Sequence, residues 1–173
     1  MYFAASDYRL YRTFPMTLRT TILAGFAAAS LSILGSPLHA QSAKAELTVY
    51  KSPQCGCCTK WADHMDDNGF DSTAINRHDM ATLKASLGVP SGLQSCHTGQ
   101  VKDYVFEGHI PADVVKRFLE NPPEDAYGLA VPGMPIGSPG MKMGTRHQDY
   151  DVILLKRSGK HEVYTRVSQH SAP

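Results

Sequence analysis

No block of like charge runs through the 173 residues, no segment repeats, and no apolar stretch reaches the ~20 residues a membrane-spanning helix needs. The first absence removes the electrostatic footprint of a nucleic-acid binder. The second removes repeat architectures. The length is enough for one domain with a real core and short for two, so one domain is the starting expectation.

The N-terminus differs from the rest. Arg19 precedes the apolar run Ile22 to Leu34, which Gly35-Ser36-Pro37 breaks, and Leu38-His39-Ala40 or Ala43-Lys44-Ala45 offers small residues for cleavage. Basic head, short apolar run and small-residue site are the parts of a secretory signal, here assigned to residues 1–40. Met16 is a candidate true start, because Met16-Thr17-Leu18-Arg19 already makes a compact basic head. Loss of residues 1–40 removes three arginines and one aspartate and leaves a nearly neutral chain. Such a chain gives no electrostatic case for a membrane surface or an acidic partner, and no membrane span is expected in the mature protein. The expected location is the periplasm.

Export changes what cysteines mean, since an oxidising compartment permits disulfides. The chain has four, Cys55, Cys57, Cys58 and Cys96, and the first three fall within four residues. Cross-links so close in sequence restrict the unfolded chain little, so clustering favours chemistry over stapling.

Beyond the leader, Leu47 to Tyr50 reads as a strand and Lys51-Ser52-Pro53-Gln54 as its end. From about Cys57 the spacing of Trp61, Ala62, Met65 and Phe70 turns helical, with Asn68-Gly69 as the stop. Asp71 to Asn76 reads as a second strand. Asp79 is placed as the cap of a short helix over Met80, Leu83 and Leu87, with Met65 and Met80 assigned to the core. Ser91 to Gln100 reads as a loop carrying Cys96-His97, and Tyr104 to His109 as a strand. Pro111 opens a helix over Val114, Val115, Phe118 and Leu119. The glycine and proline density of residues 128–144 excludes a regular helix or central strand there. Tyr150 to Leu155 and His161 to Val167 make a hairpin.

This order resembles the thioredoxin fold, an α/β fold with a mixed sheet, flanking helices and, here, an elaborated Gly/Pro-rich loop. The resemblance implies a Cys-x-x-Cys where the first strand meets its helix and a cis-proline packed against it, with Val131-Pro132 and Met134-Pro135 as candidates. It also implies that residues 132–143 approach Cys55–Cys58.

Cys55 and Cys58 have the C-x-x-C spacing at a predicted helix start, where the dipole and free N–H groups favour a thiolate. A thiolate is both a nucleophile and a metal ligand, so two chemistries stay open. In one, Cys55 and Cys58 are the catalytic pair of a thiol–disulfide oxidoreductase. In the other, the thiolates hold a soft metal. Cys57 stands where thioredoxin usually has proline, offering alternative disulfides to an oxidoreductase but another thiolate to a metal. Zinc competes, since four cysteines close a tetrahedral site, yet zinc sites commonly use two separated pairs and the spacing here is three plus one. Met134, Met141 and Met143 lie where no helix or strand gives them a core stripe, and thioether is a ligand that copper(I) accepts. His97 and His109 sit in turn-like contexts from which a ring can reach a site; His64, His78, His147, His161 and His170 read as ordinary polar residues. A zinc- or disulfide-stapled domain displaying a surface to an envelope partner is a third reading.

Taken in order, Cys55-Gly56-Cys57-Cys58, Ser95-Cys96-His97-Thr98-Gly99, Glu107-Gly108-His109-Ile110-Pro111 and the run Val131 to Met141 resemble the CopG family of periplasmic copper-resistance proteins. The likeness spans residues 46–167. It implies a thioredoxin-like copper(I)-binding domain, multinuclear cysteine-bridged copper and a role in copper tolerance of the envelope, with copper ions and other envelope copper-handling proteins as partners. By position, Cys55, Cys57, Cys58 and Cys96 carry over as thiolates, with His97, His109, Met134 and Met141 as companions. Met143 is added from its spacing alone.

Overall fold

The structure, a computed structural model, describes residues 44–168. The signal peptide expected at 1–40, and His170, lie outside the described residues. Seven strands form one mixed sheet in the order β2-β1-β3-β4-β5-β6-β7. They are β1 (Ala45–Lys51), β2 (Phe70–Asn76), β3 (His97–Val101), β4 (Tyr104–Glu107), β5 (Ala126–Ala130), β6 (Tyr150–Lys156) and β7 (His161–Val167), with helices α1 (Gly56–Asp67), α2 (Met80–Ser86) and α3 (Ala112–Glu120). Two parallel pairs, β1/β2 and β4/β5, are bridged by α1 and α3 respectively. Parallel neighbours need such a crossover, and β3 joins the two β-α-β units by pairing antiparallel with both β1 and β4. This is the thioredoxin-like α/β arrangement expected from the sequence.

Helix α1 buries Cys58, Trp61, Ala62 and Met65, spaced three, one and three residues apart, so a single stripe faces the sheet. Helix α3 buries Val114, Val115 and Phe118 in the same way. The stripes meet Leu47, Val49, Phe106, Leu129 and Val152 in one core. Phe118 stands edge-on to both Tyr104 and Phe106, a favourable aromatic geometry.

The structure corrects the sequence reading in five places. His97 to Gln100 are strand, not loop: His97, Thr98 and Gly99 are all buried because β3 is an interior strand, which erases the alternation that marks half-exposed strands. For the same reason Gly128 to Ala130 belong to interior strand β5, and the irregular segment begins only after them. Asp79 stands at the N-cap position of α2, but its carboxylate binds the Arg77 guanidinium and makes no cap bond. Met80 is half-buried, and the buried residue of α2 is Lys84. No peptide bond among the described residues is cis, so Val131-Pro132 and Met134-Pro135 are both trans.

The segment between β5 and β6 folds on its own hydrogen bonds. Ser138 N–H and its hydroxyl both donate to the Pro135 carbonyl at 3.2 and 2.7 Å, Met141 N–H donates to Ser138 O at 2.8 Å, and Gly137 N–H to Met141 O at 3.0 Å.

Candidate metal centre

Strand register brings the cysteines together. Lys51 of β1 pairs with His97 of β3, so Cys96, one residue before His97, lies beside the turn that leads from β1 into the cysteine run. On its other side β3 pairs Thr98 with Glu107, and Gly108 N–H donates to His97 O at 3.0 Å, which carries His109 alongside Cys96. Gly108 adopts φ +79° and passes so close to Val131 O that a Cβ would lie 2.5 Å from it. Only glycine allows that approach without displacing the backbone.

Cys55 is the N-cap residue of α1 and is joined to Cys58 in a disulfide, with Cα atoms 5.4 Å apart. Cys57 and Cys96 are free thiols. The Cys57 sulfur lies 3.4 Å from that of Cys55 and 3.9 Å from that of Cys96. The Cys96 sulfur in turn lies 3.0 Å from His109 Nε2 and 3.3 Å from His97 Nδ1. Two sets of ligand atoms result, each with all members within 4.8 Å of one another: Cys55, Cys57, Cys58 and Cys96, and Cys96, His97 and His109. Cys96 belongs to both. Sulfurs on one tetrahedral ion with bonds of ~2.3 Å stand ~3.8 Å apart, so the observed spacings suit metal binding once Cys55 and Cys58 are reduced.

One imidazole is oriented by a hydrogen bond at its other nitrogen; the other, whose Nε2 is buried with no hydrogen-bond partner, is oriented by ring packing. His109 Nδ1 lies 2.8 Å from Pro139 O, an acceptor only, so Nδ1 carries the proton and the Nε2 lone pair faces Cys96. His97 is wedged between Trp61, with ring centroids 4.4 Å apart, and the edge of His109 at 4.8 Å. Trp61 is itself pinned, donating Nε1–H to Ile110 O at 2.8 Å. Burial holds both histidines neutral, His97 well below its ordinary pKa and further disfavoured as a cation by His109 and Lys84, and His109 less so because the Pro139 carbonyl favours its proton. Burial, and then the neighbouring Cys57, push the Cys96 thiol up to about 12. Without metal the centre is therefore uncharged at Cys96, His97 and His109, and a soft cation would displace the thiol proton.

The Gly/Pro-rich segment approaches the centre, as the resemblance to the thioredoxin fold implies. Gly140, at φ +82°, passes against the first turn of α1, where a Cβ would lie 2.6 Å from Cys57 O. At its other end Gly133 O accepts from the Ser95 hydroxyl, tying the stretch before Met134 to the residue before Cys96.

A family model described as a protein of unknown function, DUF411, matches residues 93–141. Among solved structures, "Copper resistance protein copG- Form 2" is 41% identical, with a TM-score of 0.69, and the match covers 72% of this chain and 99% of that one. "Copper resistance protein copG- Form 1" is 42% identical, with a TM-score of 0.68 and coverage of 72% and 98%. The chain belongs to the CopG family. No curated protein matches it significantly. Within this CopG-family chain, the stretch matched by the family model contains Cys96, His97, His109, Met134 and Met141, whereas Cys55, Cys57 and Cys58 precede it.

The six cysteines and histidines singled out in the sequence thus converge. The methionines stand differently: Met134 and Met143 are 52% and 50% exposed, and Met141 is half-buried next to Gly140. Met143 forms an isolated bridge with Arg146. His64, read as an ordinary polar residue, accepts the Ala112 N–H at 3.1 Å and so helps start α3. Sequence reasoning missed Lys84, Thr98 and Glu107, a buried charged cluster behind Cys96. Its signal was present: Lys84 is four residues after Met80 and three before Leu87, a charge on the apolar stripe of α2.

Proposed function

We propose that this CopG-family protein is a periplasmic copper(I)-binding protein of copper resistance, exported through the signal at residues 1–40, that holds copper in a multinuclear thiolate-bridged centre. The observation that carries the reading is Cys96, whose sulfur belongs at once to a four-sulfur set and to a sulfur–imidazole set. One thiolate can serve two ions, so overlapping sets that share a sulfur suit a cluster better than a lone ion. Thiolate and imidazole are donors that suit copper(I), and thioether is a further donor that copper(I) accepts and zinc largely refuses. Met134, Met141 and Met143 are the rim ligands proposed here, and other copper-handling proteins of the envelope are the proposed donors and acceptors.

Loading requires Cys55 and Cys58 as thiolates. Their disulfide must take up two electrons from a thiol reductant, giving two thiols, and each thiol that binds copper releases its proton. The disulfide also supports a second reading, thiol–disulfide exchange by Cys55 and Cys58 at a helix N-terminus. Replacement of Cys57 separates the two. Cys57→Ser weakens copper loading under the first reading and leaves disulfide turnover unchanged under the second. The reduced protein should hold copper(I) against a strong chelator and prefer it to zinc. Copper(I) lost entirely to the chelator would sink the proposal.

A further inference from the structure

Lys84 and Glu107 are 3% and 0% exposed, the most deeply buried opposite charges in the described residues. Lys84 Nζ donates to Glu107 Oε1 at 2.5 Å and to Thr98 Oγ1 at 2.9 Å. The Thr98 hydroxyl donates onward to Glu107 Oε2 at 2.6 Å. Ser95 N–H donates to Glu107 Oε1 at 2.6 Å. Each carboxylate oxygen therefore has a partner, and the pair carries no net charge into its surroundings.

Buried ion pairs are poor stabilisers, since well-packed apolar residues of similar volume often do as well or better. A core already built from Trp61, Met65, Phe106 and Phe118 has no need of one. What the pair does have is position. Ser95 precedes Cys96, Thr98 follows His97, and Glu107 lies two residues before His109. Two of the groups that Glu107 holds, Ser95 and Thr98, therefore enclose Cys96 and His97, and Glu107 itself stands two residues from His109. Ser95 is held twice, because its hydroxyl also binds Gly133 O.

We infer that Lys84, Thr98 and Glu107 are positioning residues that fix Cys96, His97 and His109 in a copper(I)-ready geometry before any metal arrives. Groups behind metal ligands that lock their orientation commonly govern affinity about as much as 10–100-fold without touching the ion. The inference rests on the copper(I) reading above, and its test separates the two.

The experiment compares full-length mature protein with Lys84→Met/Glu107→Leu, Thr98→Val and Thr98→Ser. Copper(I) affinity is measured by chelator competition, and hydrogen exchange at the Ser95 amide is measured without metal. The double variant leaves no unpaired charge and should fold with a Tm close to that of the parent, yet bind copper(I) about 10–100-fold more weakly and exchange Ser95 faster. Thr98→Ser keeps the hydroxyl and should match the parent, whereas Thr98→Val should follow the double variant. A folded double variant with parental affinity and parental Ser95 protection overturns the inference. If the double variant does not fold, equal behaviour of Thr98→Val and Thr98→Ser overturns it instead. If the parent itself fails to bind copper(I), the functional reading falls, and Ser95 exchange alone decides whether the pair holds the segment that leads into β3.

Discussion

The two sides of the centre are built by different means. On the helix side, Cys55, Cys57 and Cys58 come from one turn of chain, and two of them are joined as a disulfide. On the sheet side, His97 opens β3, Cys96 lies just before it and His109 just after β4, and register, a backbone carbonyl and a buried ion pair hold them in place. On the proposed reading, reduction of that disulfide would raise the number of thiol donors on the helix side. The sheet side offers the same three donors in either state. The sulfur of Cys96 belongs to both candidate sets.

The sharpest way to break the comparison is to damage the sheet side from behind. Glu107→Gln leaves the Lys84 charge buried without its counter-ion and should cost about 3–5 kcal/mol in stability, read by urea unfolding. Cys96→Ser removes the shared sulfur and should lower copper(I) affinity by about 100-fold or more, beyond the ~10–100-fold typical of groups behind the ligands. Gly140→Ala strains a backbone at φ +82° that also lies against Cys57 O, and should cost about 1–3 kcal/mol, measured by thermal unfolding.

Acid should act on the sheet side more gently. His97 and His109 are held neutral in the fold but take up protons near 6.5 once unfolded. The unfolded state then binds more protons, so stability is full above that pH and is lost as pH falls below it. Urea unfolding of the metal-free protein at pH 7.5, 6.5 and 5.5 should show a decline of at most about 1.4 kcal/mol per pH unit for each histidine. His97→Gln should make the slope shallower.

The same contrast explains what was legible in the sequence. Helix α1, the β6–β7 hairpin and the Cys55–Cys58 run are local: the period of Trp61, Ala62 and Met65, or the turn at Ser158-Gly159, is enough to read them. Strand β3 is not local. His97, Thr98 and Gly99 are neither alternating nor β-branched throughout, and only burial between β1 and β4 makes them strand. The candidate site was legible through the crowding of Cys55, Cys57 and Cys58 and through the family motifs that carry Cys96, His97 and His109, since neither histidine stands out from the others by residue type alone. The pairing of Lys84 with Glu107 was not, since it depends on α2 lying over the sheet, and no short-range pattern encodes a contact of that kind. The proline expectation failed differently: the Gly/Pro-rich segment does reach the cysteines at Gly140, but through trans peptides.

The central claim is that Cys96 links two metal sets into one centre. Anaerobic titration of the reduced mature protein, counting copper(I) bound per chain beside Cys96→Ser, tests it most directly. The account predicts more than one tightly held copper(I) in the parent and a clear drop in the variant. A parent that binds a single ion, or a Cys96→Ser variant that loads as fully as the parent, would contradict it.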